Sequence, residues 1–252
     1  MSKKYVISYS GGLGSFMAAY LCQMKGLDFE LVFCDTRSED FDLYRFLNET
    51  KVYFGKDIIT LDYGVNIWQA QHIAFYQANS RIDPCSRMLK REQFKKYMKK
   101  NHKPEEAVLV LGIDGSEKHR TTSFEKNHAP YEVYCPLIEA GTNREDVLDV
   151  LDDIGIDPPR LYEKNFPHNN CGGFCVKSGQ KQAHLLLREF PDNYKWHEDK
   201  QEALFNLMEQ KKPTIRKTVN GVLNFLSLKE FREMIESGEQ PDLFDEGNCA
   251  CF

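Results

Sequence analysis

The sequence predicts an α/β fold built on a doubly wound parallel sheet, followed by a mainly helical lobe. Strand and helix patterns alternate through the first half of the chain, which is typical of parallel strands joined by crossover helices. The segment 107–111 is continuously apolar, as expected for a strand covered on both faces. A glycine-rich turn at 10–15 lies between the first strand and the first helix.

The first half contains four predicted strands and four predicted helices. The strands are 5–9, 29–34, 57–61 and 107–112. The helices are 15–24, 41–54, 67–76 and 86–100, with Asp40 and Ser86 as candidate caps. In such sheets ligands bind outside the carboxyl ends of the strands, where the strand order reverses. We therefore expect the segments 10–15, 35–39 and 114–120 to gather on one rim.

The alternation ends after Pro136. Helices are predicted at 142–154, 179–189, 193–210 and 227–237, the last capped by Ser227, and a hairpin is predicted at 219–222. We predict two domains, 1–136 with the parallel sheet and 137–252 as a helical accessory lobe that carries a cysteine cluster.

Composition narrows the possible partners. The chain has 252 residues, 41% of them hydrophobic, 28% charged, and a net charge of −5, which is ordinary for a soluble globular protein. No apolar run is long enough to span a bilayer, so we expect a cytoplasmic protein without a membrane partner. A nucleic acid would need a local basic patch. One cluster of cations is either such a patch or a solvated helix face: Lys90, Arg91, Lys95, Lys96, Lys99 and Lys100.

The turn Ser10-Gly11-Gly12-Leu13-Gly14-Ser15 has the features of a phosphate-binding loop. Glycines let main-chain N–H groups approach an anion, and the N-terminus of the following helix adds a partial positive charge. The spacing matches neither a Walker A loop nor the dinucleotide fingerprint. An ordinary strand–helix connection remains the alternative. The candidate binding residues at this strand end are Ser8, Ser10, Gly11, Gly12, Gly14 and Ser15.

This hexapeptide resembles the pyrophosphate-binding loop of the PP-loop ATP pyrophosphatase superfamily. Further similarities lie at 33–36 with Glu39, at 42–46, at 81–91, and at 111–114 with Glu117, His119 and Arg120. Together they resemble the phosphoadenosine phosphosulfate (PAPS) reductase-like branch. The resemblance implies a Rossmann-like, adenine nucleotide alpha hydrolase-like fold that binds ATP or an adenylylated nucleotide. Where the superfamily's usual loop carries aspartate, this chain has Gly14.

The resemblance also implies roles for residues after the second and fourth strands. The segment 33–36 would flank adenine and ribose, where Asp35 accepts from a ribose hydroxyl or holds Mg²⁺. Asp114 is a further candidate for nucleotide binding. Either aspartate is alternatively a helix cap. Arg120, whose guanidinium matches phosphate bidentately, and His119 are the candidate catalytic groups at the phosphates.

The eight cysteines fall into two groups. Cys22, Cys34 and Cys135 lie in apolar runs and are predicted to be small buried side chains. The other five lie in polar or glycine-rich surroundings: Cys85, Cys171, Cys175, Cys249 and Cys251. Gly172 and Gly173 are expected to fold the chain back so that the thiols of Cys171 and Cys175 face one centre.

Similarity to iron–sulfur-bearing adenylyl-sulfate reductases implies a cluster held by Cys85, Cys171 and Cys175. Cys249 or Cys251 would supply the fourth thiolate of a [4Fe–4S] cluster. A zinc site with His168 as an additional ligand is the alternative. In PAPS reductases a cysteine near the C-terminus is the nucleophile, so Cys251 or Cys249 is alternatively catalytic.

Three functions remain open at this point. The first is adenylyl transfer coupled to sulfur chemistry at a cysteine-ligated centre, with a sulfur donor and, as one acceptor, a nucleic acid. The second is a PAPS or adenylyl-sulfate reductase that uses a tail thiolate and a thiol reductant. The third is a non-catalytic nucleotide- or nucleic-acid-binding module with structural zinc.

Overall fold

The computed structural model describes residues 3–79 and 81–247. They form two compact units, each discontinuous in sequence. Unit 1 comprises the described residues of Met1–Asp35, Phe41–Tyr63 and Arg91–Arg160, and unit 2 those of Thr36–Asp40, Gly64–Lys90 and Leu161–Phe252. Residue 136, the predicted domain boundary, falls inside the third segment of unit 1. The division into domains 1–136 and 137–252 stays a prediction.

Unit 1 contains the parallel sheet. Its strands are β1 Lys4–Ser8, β2 Phe29–Asp35, β3 Ile58–Asp62, β4 Ala107–Val110 and β5 Glu132–Tyr134. All neighbours are parallel and the order is β3-β2-β1-β4-β5. The predicted doubly wound α/β fold is therefore confirmed. The strand order reverses at β1, so the carboxyl ends of β1 and β4 flank the switch point. The short strand β5 was not predicted, because three residues give no recognisable alternation.

Helices account for most of the remaining described structure. In chain order they are α1 Leu13–Met24, α2 Phe41–Phe54, α3 Ile67–Ile73, α4 Pro84–Ser86, α5 Glu92–Asn101, α6 Thr121–His128, α7 Pro136–Ala140, α8 Arg144–Ile154, α9 Arg160–Glu163, α10 Gln180–Glu189, α11 Pro191–Leu207 and α12 Leu228–Glu236. A π-helical turn, Arg87–Arg91, follows α4, and 3₁₀ turns span Gly115–Arg120 and Asn170–Gly173.

The core of unit 1 is the sheet and the helices that cover it. All four residues of β4 are buried, as expected for a central parallel strand. Phe16 of α1 packs against Phe46 and Phe54 of α2, with ring centroids 5.8 and 5.7 Å away. Cys22 is fully buried, and burial raises the pKa of its thiol to about 12. Cys34 and Cys135 are only half-buried, contrary to the expectation for small core residues.

Unit 2 has its own hydrophobic core, formed by α3, α10, α11, α12 and the loops between them. The predicted hairpin is present as β6 Ile215–Val219 and β7 Val222–Leu226. Its turn residues Asn220 and Gly221 both have positive φ, as a type I′ turn requires. Ser227 caps α12 as predicted, within a capping box. No helix in the described ranges is long and apolar enough to cross a membrane.

Candidate functional site

The loop after β1 owes its shape to glycine. Gly11 has a φ of +72°, and a Cβ at this position would lie 2.2 Å from Cδ1 of Leu43. The positive φ is the feature that favours glycine at this position, whereas the leucine methyl belongs to a side chain that can shift. Gly12 occupies the N-cap of α1 in an extended conformation and has no side chain with which to cap the helix. The loop therefore brings main-chain N–H groups to the start of α1, as anion sites at helix N-termini do.

Two serine hydroxyls complete this loop. The Ser15 hydroxyl donates to the carbonyl of Gly12 at 2.9 Å and lies 3.3 Å from the hydroxyl oxygen of Ser10. The Gly12 N–H donates to Ser10 Oγ at 3.4 Å. Ser8 ends β1 and is half-buried. The predicted residues Ser10, Gly12 and Ser15 thus converge in one turn of backbone, which offers hydroxyl and amide donors to an anion.

Gly14 packs backbone to backbone against Gly112, which follows β4. A Cβ on Gly14 would lie 2.4 Å from the carbonyl oxygen of Gly112, and a Cβ on Gly112 would lie 2.4 Å from the carbonyl oxygen of Gly14. Neither position has room for a side chain. The aspartate that the superfamily usually carries at the position of Gly14 does not fit this backbone.

Asp35 ends β2, opposite Asp62 in the register with β3. The Tyr44 hydroxyl is 3.0 and 3.1 Å from the two carboxylate oxygens of Asp35, to which it donates. This bond from α2 fixes the orientation of the carboxylate at the rim of the sheet.

Asp114 follows β4 and caps the 3₁₀ turn Gly115–Arg120. Its Oδ1 accepts from the backbone N–H and the hydroxyl of Ser116, at 2.8 and 2.6 Å. Arg120, at the end of that turn, forms an ion pair with Glu117 and stacks over the ring of Phe124, 5.3 Å from its centroid. His119 is exposed. Asp114 therefore acts as the cap of this turn. The same turn carries Arg120 and His119, the two predicted catalytic side chains of unit 1.

The cysteine candidates lie in unit 2. Cys85, at the start of α4, and Cys171 and Cys175 line one small cavity of about 20 Å³. Its other described lining residues are Thr36, Ile67, Asp83, Ser86, Lys90, Phe174, Val176 and Lys177. These three cysteines thus line the same cavity, and their role as ligands of one centre stays a prediction. Phe174, one of these lining residues, stacks on His197, with ring centroids 4.1 Å apart.

The loop that carries Cys171 has an unusual backbone. Cys171, Gly172 and Gly173 are three consecutive residues with positive φ, at 50°, 61° and 84°. The amide of Asn193 donates to the Gly172 carbonyl at 3.1 Å, and that of Gln182 donates to the Gly173 carbonyl at 2.8 Å. The positive φ values of Gly172 and Gly173 agree with the predicted reversal of the chain at these two glycines. Cys171, a residue with a Cβ, has a positive φ as well, so the surrounding contacts must hold it in that conformation.

Two lysines bring charge to the cavity. Lys177 pairs with Asp83 at 2.5 Å, and both side chains are nearly buried. Lys90 lies 3.9 Å from Glu39 Oε1, and its Nζ donates to Asn170 Oδ1 at 3.3 Å. Lys90 is buried in the π-helical turn, which corrects the prediction that it belongs to a solvated helix face.

The predicted metal ligands are only partly within the described residues. Over 3–79 and 81–247, no group of three or more His, Cys, Asp and Glu side chains is arranged to hold a metal ion. The assignment of Cys85, Cys171 and Cys175 as ligands stays a prediction. Within the same ranges His168 does not line their cavity. Cys249 and Cys251 lie outside the described residues.

Sequence reasoning did not place two charged residues, Lys90 and Lys177, at the cysteine cavity. Lys90 lies in a run of cations, so its burial was hidden among exposed neighbours. Lys177 follows Cys175 by two residues, and its backbone N–H donates to Cys175 Sγ at 3.5 Å. Proximity to a candidate cysteine was the only signal in the sequence.

Known proteins resemble this chain in sequence and in structure. A family model described as "Phosphoadenosine phosphosulfate reductase domain" matches residues 4–173. An uncharacterized protein of Methanocaldococcus jannaschii is 27% identical over 215 residues, which cover 77% of this chain and 47% of that protein. The chain thus spans about half the length of this curated relative.

A crystal structure of phosphoadenylyl-sulfate (PAPS) reductase from Candida auris, in a phosphate complex, superimposes with a TM-score of 0.47. Its sequence is 12% identical, and the match covers 66% of this chain and 79% of that one. The family assignment rests on the sequence match. Since that match spans residues 4–173, more than half of the 252 residues, the chain belongs to the phosphoadenosine phosphosulfate reductase domain family.

Proposed function

We propose that this protein binds an adenine nucleotide with its phosphates on the 10–15 loop and uses it in sulfur chemistry. The placement of the loop carries the proposal. It follows β1, where the strand order reverses, and leads into the N-terminus of α1. Open α/β sheets bind ligands at this position, and helix N-termini bind phosphate. The family's name, which refers to a phosphorylated adenosine nucleotide, supports the same ligand class.

The rim of the sheet offers further groups to that nucleotide. Asp35, oriented by Tyr44, is placed to accept from a ribose hydroxyl. Mg²⁺ is usually held by one or two carboxylates and the phosphates of the nucleotide, so Asp35 would be its protein ligand. Arg120 would bind phosphate in place of Glu117, since a guanidinium fork matches either oxyanion. Asp114 would act through the turn that it caps.

Gly14 favours reduction of a sulfate nucleotide over cleavage of ATP. The carboxylate that the superfamily's usual loop carries is absent, and Gly112 leaves no space for it. In the reduction, a cysteine thiolate attacks the sulfate sulfur. The S–O bond to the nucleotide phosphate then breaks, and the nucleotide leaves with both electrons of that bond. A thiol of the dithiol reductant then attacks the cysteine sulfur, the bond to the sulfonate breaks, sulfite leaves with its electron pair, and the second thiol of the reductant frees the cysteine as the reductant becomes a disulfide. Cys249 and Cys251, outside the described residues, are our candidate nucleophiles. Adenylyl transfer remains the second candidate.

Cys171 and Cys175 would form a thiolate centre only together with the tail. The last described residue supports this: Gly247 forms an antiparallel bridge with Ser178, three residues after Cys175. The Lys181 N–H also donates to the Asp245 carbonyl at 3.2 Å. The chain that leads to Cys249 is thus anchored beside the segment that follows Cys175. Four thiolates would hold a [4Fe–4S] cluster, which supplies one-electron transfer, or a structural zinc ion.

Two assays test the proposal. Purified protein is incubated with PAPS plus a dithiol, and separately with ATP and Mg²⁺. Release of sulfite from PAPS is the expected result, whereas AMP and pyrophosphate from ATP would establish adenylyl transfer instead. If neither nucleotide binds in calorimetric titrations, the proposed phosphate site is wrong. The double variant S10A/S15A should lose affinity, and S123A, a change of a serine in α6, is the matched control.

A metal analysis separates the remaining alternatives. Anaerobically purified protein with a cysteine-ligated cluster absorbs near 400 nm and loses that colour on reduction. A colourless protein with one zinc ion and no nucleotide turnover would favour the non-catalytic binding module. Iron and zinc contents per chain give the answer directly.

A further inference from the structure

We infer that Glu39 is a positioning residue, which fixes the main chain of Cys171 and so directs its thiol into the cavity. The role rests on the proposed thiolate centre, since that is what Cys171 would serve. The fixed geometry itself is a property of unit 2 and is testable whether or not a metal binds.

Glu39 contacts three separate segments of unit 2. Its Oε2 accepts from the backbone N–H of Cys171 at 2.7 Å. Its Oε1 accepts from the hydroxyl of Thr36 at 2.7 Å and lies 3.9 Å from Nζ of Lys90. The carboxylate side chain is 2% exposed. One buried anion therefore joins the segment after β2, the π-helical turn and the cysteine loop.

The hydrogen bond from Cys171 to Glu39 lies at the residue of the loop whose backbone conformation is least favourable for its residue type. Cys171 has φ 50° and ψ 42°, a left-handed conformation that residues with a Cβ rarely adopt. The carbonyls of Gly172 and Gly173 accept from the side-chain amides of Asn193 and Gln182, and the backbone N–H of Cys171 donates to Glu39. Hydrogen bonds with an ionised partner are stronger than neutral ones, and more so when water is excluded.

Local unfolding of the loop measures this restraint. Cys171 is 7% exposed, so iodoacetamide reaches it only when the loop opens, and the labelling rate follows the opening equilibrium. In E39A we expect Cys171 to be labelled about tenfold faster, as loss of a charged hydrogen bond predicts. In E39Q the amide oxygen accepts from Cys171 and the amide nitrogen donates to Thr36, so the rate should return to within about threefold of the wild-type value.

Peptide mass spectrometry gives the rate at each cysteine in the protein as isolated and again after treatment with a chelator. Q77A is the matched control. Gln77 is equally buried in unit 2 and accepts from the backbone N–H of Lys212 at 2.8 Å, yet neither belongs to the cysteine loop. Selective acceleration at Cys171 in E39A, absent in Q77A and reversed in E39Q, supports the inference.

Two outcomes would overturn it: an unchanged rate at Cys171, or equal acceleration at Cys85, Cys171 and Cys175, which would make Glu39 a general stabiliser. Should E39A fail to fold, E39D shortens the side chain by one methylene and must still accelerate Cys171 selectively. A protein without metal that shows the selective effect would refute the metal centre and keep the positioning role. A metal-binding protein without the effect would do the reverse.

Discussion

The indole N–H of Trp68 donates a hydrogen bond to Nδ1 of His197 at 3.0 Å in the interior of unit 2. The bond requires the imidazole to be neutral and to keep Nδ1 unprotonated. His197 is 1% exposed, and burial lowers its pKa to about 3. Its ring stacks on Phe174, which lines the cysteine cavity.

His197 should make unit 2 sensitive to acid. The folded pKa of about 3 lies below the unfolded value of about 6.5, so the unfolded chain binds the extra proton between these pH values. The stabilisation is complete above about pH 6.5 and is lost as the pH falls toward 3, at about 1.4 kcal/mol per pH unit. H197Q, whose amide oxygen still accepts from Trp68, should remove this part of the pH dependence.

Urea unfolding at pH 7, 6 and 5, followed by tryptophan fluorescence, measures this effect. Both tryptophans, Trp68 and Trp196, lie in unit 2. H72Q changes an exposed histidine of the same unit and should leave the slope of the wild type. Equal slopes in H197Q and the wild type would contradict the prediction.

Alanine at Gly14 or Gly112 should destabilise unit 1 by about 1–3 kcal/mol, the usual cost of overpacking. Gly14 lies in the first turn of α1, where alanine in place of glycine would ordinarily stabilise by up to about 1 kcal/mol. The sign of the change in free energy of unfolding is therefore diagnostic. Far-UV circular dichroism in urea measures it. G115A, where no heavy atom lies within 4 Å of the added Cβ, is the control and should be nearly neutral. A G14A variant as stable as the wild type would show that the contact is adjustable.

R120A should weaken nucleotide binding about tenfold, the contribution of one charge-assisted hydrogen bond to phosphate. Isothermal titration calorimetry with PAPS or ATP, whichever binds the wild type, measures the change in affinity. K118A removes an exposed cation from the same 3₁₀ turn and tests for a general electrostatic effect. If the two variants lose equal affinity, Arg120 makes no specific phosphate contact. The same titration of H119A shows whether His119, the second candidate in this turn, also contributes to nucleotide affinity.

If the proposed thiolate centre holds a metal, the double variant C171S/C175S should lose that metal while it keeps the fold. Metal content per chain and the absorption spectrum are the measurements. C22S replaces a fully buried thiol of unit 1 and should retain the metal content of the wild type. Unchanged metal content in C171S/C175S would refute the assignment of these two cysteines.

Most of the sheet could be predicted from the sequence, because the residue patterns that indicate its strands are local. Strands β1 to β4 are apolar runs of four to seven residues between helical patterns, and parallel order follows from their alternation with helices. The glycine turn was equally visible, since Gly11 and Gly12 stand directly between a strand and a helix. Capping of α12 by Ser227 follows from the hydroxyl alone.

The residues missed share a different property: their roles depend on partners far away in the chain. Glu39 meets Cys171 across 132 positions, and Lys90 meets Asn170 across 80. No window of the sequence contains both members of either pair. Burial of Lys90 likewise follows from elements that converge only in the folded unit.

The left-handed run Cys171-Gly172-Gly173 has a consequence for comparing relatives of this protein. A Cβ on Gly172 would lie 2.9 Å from the carbonyl oxygen of Ser38, and one on Gly173 would lie 2.8 Å from the ring of Phe166. If both glycines are invariant among homologues, that invariance therefore shows only that the loop keeps this backbone conformation. It would hold even in homologues that lack the activity. The Cys171 position is more informative in such an alignment, because a serine there would keep nearly the same volume but lose the reactive thiol.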